Sequence, residues 1–233
     1  MPLPMAHGTP GGPALRGGGD DQGLPPGRVP RLGVEPNMTD STTPIPPAPT
    51  ASPLLERVIV AGFGGQGIIF FGKLLAQAAM DQGLSVAYLP AYGPEVRGGR
   101  ANCYVVISSD PILCPVVLRP DSLVVMNQLS WDYYARSLGP EGLAVLNATM
   151  VAGEALEPAQ RVVRVPATQI ATELGEVRAT NMVMLGAYNH LRRIVPLDRL
   201  LEDLRAALGK SKAALFELNR AAISRGIEAV AGQ

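Results

Sequence analysis

The sequence predicts an α/β domain: a mostly parallel sheet with helices on both faces, followed by a helical C-terminal part. Three observations carry this. From residue 57 onward, short apolar runs of strand length alternate with segments of helical spacing. That order produces parallel strands joined by crossover helices. The first run also ends in a cluster of glycines that opens a helix, and helical spacing dominates the last third of the chain.

Residues 57–61, Arg-Val-Ile-Val-Ala, form an apolar run that reads as a strand buried on both faces. A helix is expected over 68–82, because Leu74, Leu75, Ala78 and Ala79 recur at helical spacing and Gly83 closes it. Strands follow at 85–89, at 101–108, where β-branched and aromatic residues are frequent, and at 122–126. Ser130 is the expected cap of a short helix ending at Gly139. Strands at 143–146 and 162–165 come next, then a short helix over 168–174 closed by Gly175. Thr180 is expected to cap a helix running to 194. Pro196 stops it, and helices over 197–208 and 213–230 complete the domain.

Residues 1–53 differ. Gly17-Gly18-Gly19, Pro25-Pro26 and Pro44-Ile45-Pro46-Pro47 crowd this stretch. It carries too little apolar surface to offset its ordering entropy, so a disordered extension is expected, with the folded domain at 54–233. Met38 offers a second start to the chain.

Composition narrows the function. Twenty Lys and Arg balance twenty Asp and Glu, so electrostatics supply no reason to expect nucleic acid or an acidic membrane as partner. Aromatic residues make up 5% of the chain, which disfavours a base-stacking platform. The spacing of Cys103 and Cys114 fits neither a zinc site nor an iron–sulfur motif and does not support a disulfide framework. No metal site is expected. No apolar run approaches the ~18 residues of a membrane span. The N-terminus lacks the basic-then-apolar order of a secretory signal, so a cytoplasmic location is expected.

Gly62-Phe63-Gly64-Gly65-Gln66-Gly67 matches G-x-G-x-x-G between a predicted strand and a predicted helix. Glycines allow the tight turn and a close backbone approach, and the helix start adds partial positive charge. A dinucleotide site also needs an acid at the end of the second strand to hold the ribose. That strand ends Leu89-Pro90-Ala91-Tyr92, and Glu95 comes only later, inside a loop. Three readings stay open for Gly62, Gly64, Gly65, Gln66 and Gly67: a packing turn, a contact to an anion or partner chain, and a nucleotide site.

The following loop is Ala91-Tyr92-Gly93-Pro94-Glu95-Val96-Arg97-Gly98-Gly99-Arg100. Gly93-Pro94 and Gly98-Gly99 break regular structure around a charged pair. The loop and the glycine-rich turn are expected to follow the carboxyl ends of adjacent strands and so to share one edge of the sheet, where ligands and partners gather. The plainer reading is a surface loop with a local Glu95–Arg97 pair of little energetic weight.

Together these segments closely resemble the gamma subunit of 2-oxoacid:ferredoxin oxidoreductases, most of all the 2-oxoglutarate and branched-chain members, of which the 2-oxoglutarate type is the expectation. The resemblance continues through Ala167-Thr168-Gln169-Ile170-Ala171-Thr172-Glu173-Leu174-Gly175 and Thr180-Asn181-Met182-Val183-Met184-Leu185-Gly186-Ala187. It also includes Lys212 with Leu215-Phe216-Glu217-Leu218-Asn219. It implies a Rossmann-like, gamma-type domain that has no catalytic residues of its own and packs on alpha and beta subunits, with or without a delta subunit. Thiamine diphosphate with Mg, coenzyme A and iron–sulfur clusters are expected on those other subunits. The whole complex would decarboxylate a 2-oxoacid oxidatively to an acyl-CoA and reduce ferredoxin. The beta subunit of indolepyruvate ferredoxin oxidoreductase is a similar alternative, and a stand-alone nucleotide-binding protein a more remote one. Under the resemblance, Tyr92, Gly93, Pro94, Glu95, Arg97, Gly98 and Gly99 become the rim facing the partners and the active centre.

Other residues read more plainly. His190 lies on a predicted helix among Leu185, Tyr188 and Leu191, with no thiol or carboxylate at ligand spacing. Met182 and Met184 read as helix packing. Trp131, Tyr133 and Tyr134 suit either a core or an aromatic interface.

Overall fold

The computed structural model describes residues 53–92 and 99–232. The loop positions 93–98 lie outside the described residues, as does the expected extension apart from Pro53. Six strands form one sheet: β1 (Leu55–Phe63), β2 (Ser85–Tyr92), β3 (Arg100–Ser108), β4 (Ser122–Val125), β5 (Leu143–Asn147) and β6 (Arg161–Val165). Their spatial order is β2-β3-β1-β4-β5-β6. The run β1-β4-β5-β6 is parallel throughout. β3 is antiparallel to both of its neighbours, β1 and β2.

This insertion corrects one expectation. The carboxyl ends of β1 and β2 do lie on one edge, but the two strands are not adjacent, because β3 returns between them. Connections as short as 93–99 do not allow the crossover that a parallel pair needs, in keeping with the antiparallel pairing of β2 and β3.

The strands read as continuous apolar runs because both faces are covered. In β1, Val58 and Val60 face one core while Ile59 and Ala61 face the other. The same alternation holds in β5, where Leu143 and Val145 oppose Ala144 and Leu146. The larger core packs under α1 (Ile68–Met80), α3 (Ala167–Glu173), α4 (Thr180–Arg192), α5 (Leu197–Leu208) and α6 (Ala213–Glu228). The smaller core is closed by α2 (Gln128–Tyr134), by the turn after it, and by Val117 and Val151.

Helix starts differ from expectation in two places. Asn127, not Ser130, caps α2: its side-chain oxygen accepts the Ser130 N–H at 2.9 Å. The helix therefore begins three residues earlier than a Ser130 cap would place it. Thr180 is the first residue of α4, not its cap. Its hydroxyl donates back to the Val177 carbonyl at 2.6 Å, because a 3-10 turn over Val177–Ala179 leads directly into the helix.

The helical layer is held by close backbone contact. A Cβ on Gly186 of α4 would lie 2.1 Å from the Ile223 carbonyl oxygen, and one on Gly226 of α6 would lie 2.0 Å from that of Val183. Two glycines, one from each helix, thus let α4 and α6 touch backbone to backbone. Met182 and Met184 are buried, in keeping with helix packing. Trp131 and Tyr134 enter the smaller core, while Tyr133 stays 60% exposed. Among the described residues no helix is long and apolar enough to cross a membrane.

Candidate functional site: the carboxyl edge of the sheet

The glycine-rich turn leaves β1 and opens α1 at this edge. Its glycines do different things. Gly67 has φ 74 and precedes the first turn of α1, and the place where its Cβ would stand is taken by the Asn181 side chain, 2.2 Å away. The Asn181 amide donates to the Gly67 carbonyl at 3.1 Å. At Gly62 a Cβ would meet Gln66 Oε1 at 2.6 Å and Met126 at 2.9 Å. Gln66 folds back so that its Oε1 accepts the Phe63 N–H at 2.7 Å and the Asn127 amide at 3.3 Å. Gly62 and Gly67 therefore serve internal packing. Gly65, with φ 93, faces open space.

The second loop meets this turn at one described point. Tyr92 pairs with Ala101, and Ala101 pairs with Gly62, so β2, β3 and β1 end in one row. Just beyond it, the Gly64 N–H donates to the Gly99 carbonyl at 3.1 Å. The structure thus brings Gly64 and Gly99 together. Gly93, Pro94, Glu95, Arg97 and Gly98 lie outside the described residues.

Sequence reasoning missed a line of amides that continues the edge. Asn147, at the end of β5, donates to Thr168 Oγ1 at 2.8 Å and accepts the Thr168 N–H at 3.3 Å. Asn127 follows β4, and Asn181 opens α4. A polar amide at the end of a buried apolar run was the signal available, because such a group must find partners when it is buried. Beside the hairpin, the Arg100 guanidinium stacks over the Tyr133 ring, 4.2 Å from its centroid, and Leu129 is 59% exposed one helical turn before Tyr133. Burial pushes the Tyr134 phenol up, and its hydroxyl lies 3.4 Å from that of Tyr104.

Among the described residues this edge offers amides, a threonine, aromatic rings and one arginine. None of these exchanges a proton readily near neutral pH.

The opposite edge carries a buried charged network. Glu56 Oε1 accepts from Ser122 Oγ at 2.5 Å and from the Tyr188 hydroxyl at 3.0 Å, and it pairs with Arg192 at 3.2 Å. Desolvation holds the Glu56 carboxyl above its ordinary value in spite of these partners. Arg192 also donates to the Asp121 carbonyl, and Asp121 receives Arg57 in a two-point pair. These groups tie β1, β4 and α4 together away from the glycine-rich turn.

Comparison with known proteins follows this geometry. The pyruvate ferredoxin/flavodoxin oxidoreductase family profile matches residues 57–229. The chain belongs to this family. Ketoisovalerate oxidoreductase subunit VorA of Methanothermobacter thermautotrophicus is 40% identical over 177 residues, covering 74% of this chain and 36% of VorA. The chain thus spans only about a third of VorA's length. 2-Oxoglutarate synthase subunit KorC of Methanocaldococcus jannaschii is 33% identical over 178 residues and is covered to 92% of its own length. Among solved structures, the gamma subunit of keto/oxoacid ferredoxin oxidoreductase from Geobacter sulfurreducens superposes with a TM-score of 0.64 at 26% identity, covering 76% of this chain and 99% of that one.

An iron–sulfur cluster does not fit the residues present. A cluster takes four thiolates, and the chain has two cysteines. Cys103 is sealed under α1, where burial pushes its thiol up to about 12, and Cys114 is exposed. Nor do three His, Cys, Asp or Glu side chains converge to hold a metal ion among the described residues.

Proposed function

We propose that this chain is the gamma-type subunit of a 2-oxoacid:ferredoxin oxidoreductase, and that its carboxyl edge docks on the subunits carrying the reaction centre. In the assembled enzyme a 2-oxoacid loses its carboxyl group as carbon dioxide. The acyl group passes to the sulfur of coenzyme A, and the electrons pass to ferredoxin. Thiamine diphosphate, Mg and the clusters belong to the alpha and beta subunits, and to a delta subunit where there is one. The observation that carries this reading is the edge itself: a glycine turn tied to Gly99 and a line of amides, set in a domain that matches the length of KorC.

A dinucleotide reading has less support. Its ribose-binding acid belongs on a parallel strand beside β1, and antiparallel β3 occupies that place.

For the substrate we propose 2-oxoglutarate, supported by KorC, a separate chain of similar extent. The higher identity to VorA favours a branched 2-oxoacid as the second reading. Isolation of the tagged chain from its native source tests both points. Co-purifying thiamine diphosphate and iron–sulfur absorbance support the subunit reading, whereas a lone chain with bound nucleotide overturns it. Viologen reduction by the recovered complex, measured with 2-oxoglutarate and with 3-methyl-2-oxobutanoate, decides between the substrates.

A further inference from the structure

We infer that the stacked pair Arg100–Tyr133 extends the proposed docking edge onto α2 and receives an aspartate or glutamate side chain of a partner subunit. The inference rests on the reading that the carboxyl edge docks. Arg100 opens β3 directly after Gly99, whose carbonyl accepts the Gly64 N–H at 3.1 Å. The pair is therefore continuous with the glycine-rich turn.

The pair is held from both sides. The guanidinium lies over the Tyr133 ring, 4.2 Å from its centroid. Tyr133 packs edge-to-face against Tyr134, with centroids 4.8 Å apart, and the Tyr134 hydroxyl lies 3.4 Å from that of Tyr104. Arg100 and Tyr104 both belong to β3, four residues apart and so on the same face of the sheet. Two contacts from one strand thus set the ring and the cation against each other. The pair nevertheless faces outward. Tyr133 is more than half exposed, as is Leu129 one helical turn before it, and Arg100 is exposed.

The chemistry of the occupant follows from what the pair lacks. Among the described residues the carboxylate ion pairs use other arginines. Asp132, the acid next to Tyr133, accepts from Gln128 at 2.8 Å. The ring covers one face of the Arg100 guanidinium and leaves its in-plane N–H donors at the rim, a fork that matches a carboxylate at two points. Stacking also orders the arginine before it binds, so less side-chain freedom is lost on docking. Exposed tyrosine and arginine side by side are the residue types enriched among interface anchors. Leu129 and the open half of the ring add apolar area that a protein surface covers and a small anion leaves wet.

The experiment uses the assembled enzyme, isolated from its native source through the tagged chain. Arg100→Ala and Tyr133→Ala should each weaken assembly about tenfold or more, while the melting temperature of the chain itself barely changes. Arg100→Lys keeps the charge and puts a primary amine at the same point. Carbodiimide treatment of that complex should join position 100 to an aspartate or glutamate of a partner subunit, identified by mass spectrometry of the linked peptides. A wild-type chain recovered without partners would overturn the docking reading and this inference together. Recovery of the complex with both alanine variants assembling like wild type would overturn this inference alone. So would an Arg100→Lys complex with no cross-link at position 100, or with one to Glu95 of the same chain or to a second copy. Normal assembly with a raised KM for coenzyme A would also overturn it, because the pair would then hold a phosphate.

Discussion

The side-chain amide of Asn181, at the head of α4, donates to the carbonyl oxygen of Gly67, at the head of α1, across 114 residues of sequence. The glycine-rich turn therefore takes its shape partly from the helical third of the chain, not from its own glycines alone.

Gly67→Ala should cost about 3 kcal/mol, since the added methyl meets the Asn181 amide and φ is in the left-handed region. Asn181→Ala alone should cost about 1–2 kcal/mol, by losing a buried hydrogen bond. The double variant should be more stable than the sum of the two costs implies, because removing the amide clears space for the methyl. Equilibrium unfolding of the three variants measures this coupling. Strict additivity would mean that the contact does not shape the turn.

The α4–α6 contact makes a sharper demand. Gly186→Ala and Gly226→Ala each push a methyl into backbone carbonyl atoms that cannot rotate away. Each should cost at least about 3 kcal/mol and lower the melting temperature by several degrees, whereas Gly83→Ala, with φ 78 but open space around it, should cost only about 1 kcal/mol. Thermal unfolding by circular dichroism ranks the three.

What the sequence disclosed and what it hid follow from range. Val58 to Ala61 was legible as a strand because burial on both faces leaves no polar position to blur the run. The glycine turn was legible because its pattern is local. The return of β3 between β1 and β2 was not, since an apolar run does not state its partner or direction. The caps at Asn127 and before Thr180 were misplaced because Ser and Thr suit both a cap and a first turn. Glu56 was hidden because its partners, Ser122, Tyr188 and Arg192, are distant in sequence and meet only when β4 and α4 fold against β1.

Glu56 should leave a signature in acid. Its carboxyl is raised on folding, chiefly by burial, so its stabilising contribution is complete below the ordinary glutamate range and is lost as pH rises through the folded value. The stability difference between wild type and Glu56→Gln should be largest in acid and shrink toward neutral pH. Arg192→Met, which strands the carboxylate, should cost about 3 kcal/mol at neutral pH and less in acid. Urea unfolding at several pH values tests both signs.

Arg97→Ala probes the proposed docking role of this edge. In the reconstituted complex it should weaken assembly or lower acyl-CoA formation, while the melting temperature of the isolated chain barely changes. An interface arginine is worth about 2 kcal/mol or more once desolvated and little on a free surface. Size-exclusion profiles and viologen reduction that match wild type would leave the loop as surface only.

The backbone contact between α4 and α6 has a consequence for how the protein is made. Asn181 can hold the glycine turn only when α4 is seated, and α4 seats against Gly226 of α6. Synthesis runs from the N-terminal side, so α6 must be made before the first turn after β1 acquires its final partner. Until then the carboxyl edge is incomplete. A chain stalled or clipped before α6 would carry the residues of that edge without the contact that shapes its first turn.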